Sequence, residues 1–133
     1  MADSLSLTTL YNGPRRMVVQ AELYSDGTGS TDAIIVDKSA TTGPDGTEPG
    51  RLVVEKVEFS SDGMQVILEF EHTADDEICV LAGQGCFDFS QDDKFPGLID
   101  PASAGGTGDI IATTLGHTAG DKASFTLYLR KKD

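Results

Sequence analysis

Three stretches of this chain alternate apolar and polar residues with a period of two, and none sustains the 3.6-residue period of a helix. In Arg16–Tyr24, Met17, Val19, Ala21 and Leu23 share one face. In Met64–His72 the apolar set is Met64, Val66, Leu68 and Phe70. In Ala123–Arg130 it is Phe125, Leu127 and Leu129. Successive side chains of a strand point to opposite faces, so each stretch reads as a strand with one face in a core. Shorter β-rich runs lie at Ala33–Val36, Glu77–Leu81 and Asp109–Leu115. Leu52–Phe59 is also strand-like, yet neither of its faces is cleanly apolar.

Turn formers separate these runs. Asp26-Gly27-Thr28-Gly29 breaks the first, Gly43-Pro44-Asp45-Gly46 and Pro49-Gly50 make a loop, and Ser60-Ser61-Asp62-Gly63 reads as a hairpin turn. Gly116–Asp121 links the last two strands, and Pro101–Gly108 reads as an exposed loop. The best short-helix candidate, Asp92–Leu98, is opposed by Pro96-Gly97. The expectation is an all-β fold: one domain over 1–133, a β-sandwich or jelly-roll-like arrangement of about seven or eight short antiparallel strands. A chain of 133 residues is long enough to hold such a core without metals or disulfides. Residues 1–10 are expected to be a frayed end or an arm that adds a strand to a partner's sheet.

Charge narrows the function classes. The formal net charge is −12. Nucleic-acid binding rests on basic patches that release counterions, and anionic membrane surfaces select for the same, so neither partner is expected. No apolar run approaches a membrane span, and Met1-Ala2-Asp3-Ser4-Leu5 has neither the basic start nor the apolar block of a signal peptide. The charge is also segregated. Ten acids and one lysine fall between Asp62 and Pro101, while the bases gather near the two ends as Arg15-Arg16 and Arg130-Lys131-Lys132. Such runs can be solvated faces. They can also make a polar molecule whose basic residues form a docking patch: Arg15, Arg16, Arg130, Lys131 and Lys132.

No catalytic constellation stands out, and an enzyme is not expected. His72 and His117 have no Cys, Asp or second His at a familiar metal-ligand spacing and read as surface polar residues. Asp75-Asp76-Glu77 and Asp88 with Asp92-Asp93 lack the alternating pattern of a calcium loop. No cofactor or metal is expected. Cys79 and Cys86 are the only cysteines. Free thiols are the usual state in a reducing cytosol, but Gly83 and Gly85 between them leave a tight disulfide loop open.

The opening Leu7-Thr8-Thr9-Leu10-Tyr11-Asn12-Gly13-Pro14-Arg15-Arg16-Met17-Val18-Val19, with Tyr24-Ser25-Asp26-Gly27-Thr28-Gly29, resembles small structural proteins of tailed-bacteriophage virions. The closing Gly106–His117 and Phe125–Lys132 resemble the same group, as does the Val53–Phe70 strand pair. The middle, including Cys79 and Cys86, departs from it. The resemblance implies a non-enzymatic virion protein made in the bacterial cytoplasm. Its implied role is capsid decoration: a cement protein on the outside of the head, with the major capsid lattice and further copies of itself, as dimer or trimer, for partners. The alternatives are a head–tail connector, tail or fibre component, or a carbohydrate- or host-surface-binding module. For the last, Tyr24 and Tyr128 are the aromatic residues expected to be exposed.

Overall fold

The computed structural model describes residues 4–13, 15–25, 27, 33–43, 46–72, 75–89, 97–100, 108–116 and 118–132. His117, Asp92 and Asp93, most of the Asp92–Leu98 helix candidate and most of the Pro101–Gly108 loop lie outside these residues.

The described residues form ten strands: β1 (Ser4–Asn12), β2 (Arg16–Tyr24), β3 (Ala33–Val36), β4 (Arg51–Asp62), β5 (Gln65–Phe70), β6 (Asp76–Leu81), β7 (Gln84–Asp88), β8 (Leu98–Ile99), β9 (Ile110–Leu115) and β10 (Lys122–Lys132). The only helical piece among the described residues is a 3-10 turn at Lys38–Ala40, capped by the Asp37 carboxylate. One antiparallel sheet has the order β1-β2-β10-β4-β7, with β8 also on β4; the other runs β3-β9-β5-β6. The chain changes sheet between β2 and β3, β3 and β4, β4 and β5, β6 and β7, β8 and β9, and β9 and β10. The order β2-β10-β4-β7 against β3-β9-β5-β6 is the jelly-roll wrap, with β1 added at one edge.

The alternating runs meet in one core. Val19, Ala21 and Leu23 of β2, Phe125, Leu127 and Leu129 of β10, and Val66, Leu68 and Phe70 of β5 are all buried in it. Strand β10 is central, pairing with β2 on one side and β4 on the other.

The mixed faces of Leu52–Phe59 have a local cause. The β10–β4 register shifts between Tyr128 and Leu129: Tyr128 opposes Lys56, but Leu129 opposes Val54. Glu55 is the extra residue of a bulge, and a bulge reverses which residues of a strand face inward. Leu52 and Val54 point inward before it, and Val57 and Phe59 after it.

Two expectations are corrected. Ser60-Ser61-Asp62-Gly63 does not close a hairpin, because β4 and β5 belong to different sheets. Gly63 sits at φ +87°, and a Cβ there would strike the Asp121 carboxylate. That carboxylate is held by Thr118 through N–H (2.7 Å) and Oγ1 (2.9 Å). The turn therefore arches between sheets and is packed on the β9–β10 turn. Second, Ser4–Asn12 is not frayed: it pairs along β2 of its own chain. Strands β7 and β8, absent from the expectation, complete the other side of the sheet.

Leu127 is fully buried, while Val18 lies on the opposite face of the same sheet. Leu127→Ala is expected to destabilise by about 2–5 kcal/mol, and Val18→Ala by less than about 1 kcal/mol. Urea unfolding monitored by circular dichroism measures both.

Candidate functional site

The fold gathers the two distant basic clusters at one end of the six-stranded sheet. Arg16 opposes Arg130 across β2–β10, and Arg51 opposes Lys132 across β10–β4. Residues directly opposite in an antiparallel pair share a face, so these four side chains stand on the outer face at the same end. Arg15 adjoins them, its carbonyl accepting from the Lys131 N–H at 2.7 Å. Arg15, Arg16, Arg51 and Lys132 are exposed, and Arg130 is half-buried. Arg51 is a member that the reading of the chain ends missed; only the register with Lys132 reveals it.

Like charges opposite one another destabilise a sheet. Here two such pairs coexist in a chain with twelve more acids than bases. Arg16 is partly neutralised by an ion pair with Glu55, the bulge residue. Arg130 Nε is buried with no hydrogen-bond partner. Among the described residues, five cations are thus collected at one end of the sheet, with Glu55 the carboxylate paired to Arg16.

Lys131 does not belong to this patch. The strict alternation of β10 turns it inward, where it is 4 % exposed. Its ammonium donates to Asn12 Oδ1, Gly13 O (2.7 Å) and Thr42 O (2.9 Å). Burial lowers its pKa from the ordinary lysine value. Lys131 ties the β1–β2 turn and the 41–43 loop to the end of β10, so it shapes the basic end from beneath.

His72 is a second correction. It is buried, not a surface residue: its Nε2 lies 2.6 Å from Asp100 Oδ1, and both side chains are nearly inaccessible. Asp76 Oδ2 lies 3.8 Å from the same nitrogen and is buried with no hydrogen-bond partner. These three donor atoms all fall within 4.8 Å of one another. Two ligands on a tetrahedral zinc stand about 3.3 Å apart at ordinary bond lengths. The 2.6 Å separation is instead that of a hydrogen bond. The group works as a clasp, fixing the segment after β8 to the β5–β6 connection. The acid at position i+4 was visible in the sequence; Asp100, 28 residues away, was not.

Cys79 and Cys86 are free. Cys79 opposes Leu68 and packs against the core from one sheet. Cys86 opposes Glu58 on the exposed outer face of the other. The disulfide reading therefore fails, because Gly83 lies at the crossing between two sheets and not at the tip of a loop closed by the two thiols.

Tyr24 and Tyr128 lie on this same outer face. Tyr24 is half exposed beside a groove of about 600 Å³ lined in part by Glu22, Asp62, Lys122 and Ser124. Lys122 Nζ sits 5.2 Å from the Tyr24 ring centre, and Lys56 Nζ 5.3 Å from that of Tyr128. The neighbouring Lys56–Glu58 pair, at 3.0 Å, lowers the Glu58 pKa and raises that of Lys56.

Compared with known proteins, the chain matches no family model and no curated protein.

Two measurements check this geometry. Burial raises the Cys79 pKa to about 12, so in the native protein at pH 8 a thiol reagent should label Cys86 quickly and Cys79 only on unfolding. Both thiols reacting at one rate would contradict the placement of Cys79. His72→Ala removes the buried hydrogen bond to Asp100 Oδ1 and should lower stability by about 1–3 kcal/mol in a denaturant titration.

Proposed function

We propose that this protein is a non-enzymatic virion structural protein of a tailed bacteriophage, a decoration protein that binds the outside of the assembled head. The observation that carries the reading is the basic end: exposed cations from three strands are collected, against their own repulsion, on an otherwise acidic sandwich. Such a surface orients the molecule on an acidic shell and speeds encounter. The remaining acid then faces solvent or neighbouring copies. The jelly-roll wrap recurs in viral capsid and lectin domains, which supports the reading by analogy of fold alone. Decoration itself requires no chemistry: a protein that binds the assembled lattice better than its free subunits stabilises the lattice by mass action.

The groove beside Tyr24 supports a second reading, a sugar-binding face. It is the weaker one, because Lys122 already stacks over the ring that a sugar would need. Binding to a glycan array would favour it.

Quantitative mass spectrometry of purified particles tests the main reading. A copy number comparable to that of the major shell protein is expected. A few copies per particle would instead indicate a connector, tail or fibre part, and absence from particles would overturn the virion reading. Arg51→Thr with Lys132→Thr should slow association with assembled heads and flatten its salt dependence. Removing the like-charge pair should leave fold stability unchanged or raise it by up to about 1 kcal/mol.

A further inference from the structure

Every open sheet has edges, and proteins ordinarily blunt them with charge, brevity, bulges or covering segments. Three of the four edges here are blunted. Strand β3 has four residues and a register break between Ile34 and Val36. Strand β6 opens with Asp76 and Glu77, and β7 is short and ends in Asp88. Strand β1 is bulged at Leu10, between Thr9 and Tyr11, but Ser4–Thr9 before the bulge runs in unbroken register with β2. The strand has nine residues, contains no charged side chain and no proline, and pairs on one side only among the described residues. Leu7 is 45 % exposed, and Leu10 and Tyr11 are also exposed.

We infer that β1 is a homodimer interface, in which two copies pair their β1 strands antiparallel about a two-fold axis at Leu7 and join their sheets into one. A second copy is the occupant that the strand itself selects. Antiparallel pairing about Leu7 sets Leu7 against Leu7, Ser6 against Thr8, and Leu5 against Thr9. Leu5, Leu7 and Thr9 oppose the inward residues Leu23, Ala21 and Val19 of β2, so they share the inner face. Ser6 and Thr8 share the outer face. Each residue thus meets one suited to the same face, the self-complementarity that an isologous interface requires.

Charge argues the same way. Two copies of a −12 chain repel, and they can approach only along a neutral strip. Among the described residues the nearest outer-face acid, Glu22, lies one strand behind β1. In the dimer the two Glu22 side chains stand at least three strand spacings apart, about 14 Å, which exceeds the Debye length of about 8 Å at physiological salt.

The geometry has a consequence for the decoration reading, on which the dimer itself does not rest. The basic end lies where β1 finishes and β2 begins. Antiparallel pairing therefore sends the two basic ends of the dimer in opposite directions. A dimer would bridge two lattice sites, and two-point attachment favours assembled shell over free subunits.

Strand pairing alone buries less than a standard interface, so the equilibrium should be concentration-dependent. Sedimentation of the isolated protein between about 1 and 200 μM spans the range in which a micromolar dimer dissociates. Monomer-to-dimer conversion is expected, with Leu7→Lys remaining monomeric and keeping the native circular dichroism spectrum. Leu7→Cys in a Cys86→Ser background serves as a second probe. It should form a covalent dimer under mild oxidation, since residues directly opposite lie within disulfide reach. Thr9→Cys in the same background should not, because the two Thr9 positions are four residues out of register. A wild type monomeric throughout, a trimer, a dimer insensitive to Leu7→Lys, or equal crosslinking at both positions would each overturn the interface. None of these outcomes depends on copy number in particles, so this inference and the virion reading fail separately.

Discussion

The inward row of β10 is the contact on which the rest of the molecule depends. Ala123, Phe125, Leu127 and Leu129 lie along a strand held on both sides, by β2 and by β4. Through those neighbours the row fixes where β1 lies at one edge and β7 and β8 at the other. Its last inward position is Lys131, whose ammonium replaces apolar packing with three oxygen acceptors. The core thus closes at this end on a buried cation, and the turns that meet there are held by it. The same alternation that drives Lys131 inward drives Arg130 and Lys132 outward. One strand therefore builds both the support of the basic end and part of its surface.

The basic end opposes the stability of the sheet that carries it. Cross-strand like charges cost a few tenths of a kcal/mol to about 1 kcal/mol each. A chain with twenty-two acids has ample means to place carboxylates opposite them, yet among the described residues the ion pair formed there is that of Arg16 with Glu55. Glu55 is available because the bulge sets it outside the normal alternation. Local frustration of this kind is expected where a surface is shaped for a partner and not for the isolated fold.

Strands with clean alternation were legible in the sequence: β2, β5 and β10 fall where their apolar positions place them, and the all-β class follows from them. Strand β4 was legible as a strand but not in its facing, because a bulge is set by cross-strand register and not by the residues of one strand. The Asp62-Gly63 turn was legible as a turn but not as an arch, since a tight glycine turn serves either purpose and only long-range pairing decides. His72 was misread for a related reason: its decisive partner, Asp100, comes from a distant segment brought close by the jelly-roll wrap. Lys131 was the avoidable error. Extending the alternation of Phe125, Leu127 and Leu129 by two residues places it inside, but its charge and its neighbours Arg130 and Lys132 suggested a patch.

Edge and end are independent features of one sheet. The basic end is made where strands terminate, so it presents side chains and acts through charge, at a range set by salt. The β1 edge runs along a strand, so it presents backbone groups and acts only on contact. An acidic protein can keep a neutral edge without general aggregation because its net charge holds copies apart in every approach except the one that aligns the neutral strips. Repulsion elsewhere thus makes the edge selective: it excludes the misregistered and face-to-face encounters that an uncharged β-sandwich would have to exclude by blocking the strand. On this argument the acidity and the bare strand belong together, and neutralising the surface acids would expose β1 to indiscriminate pairing without altering β1 itself.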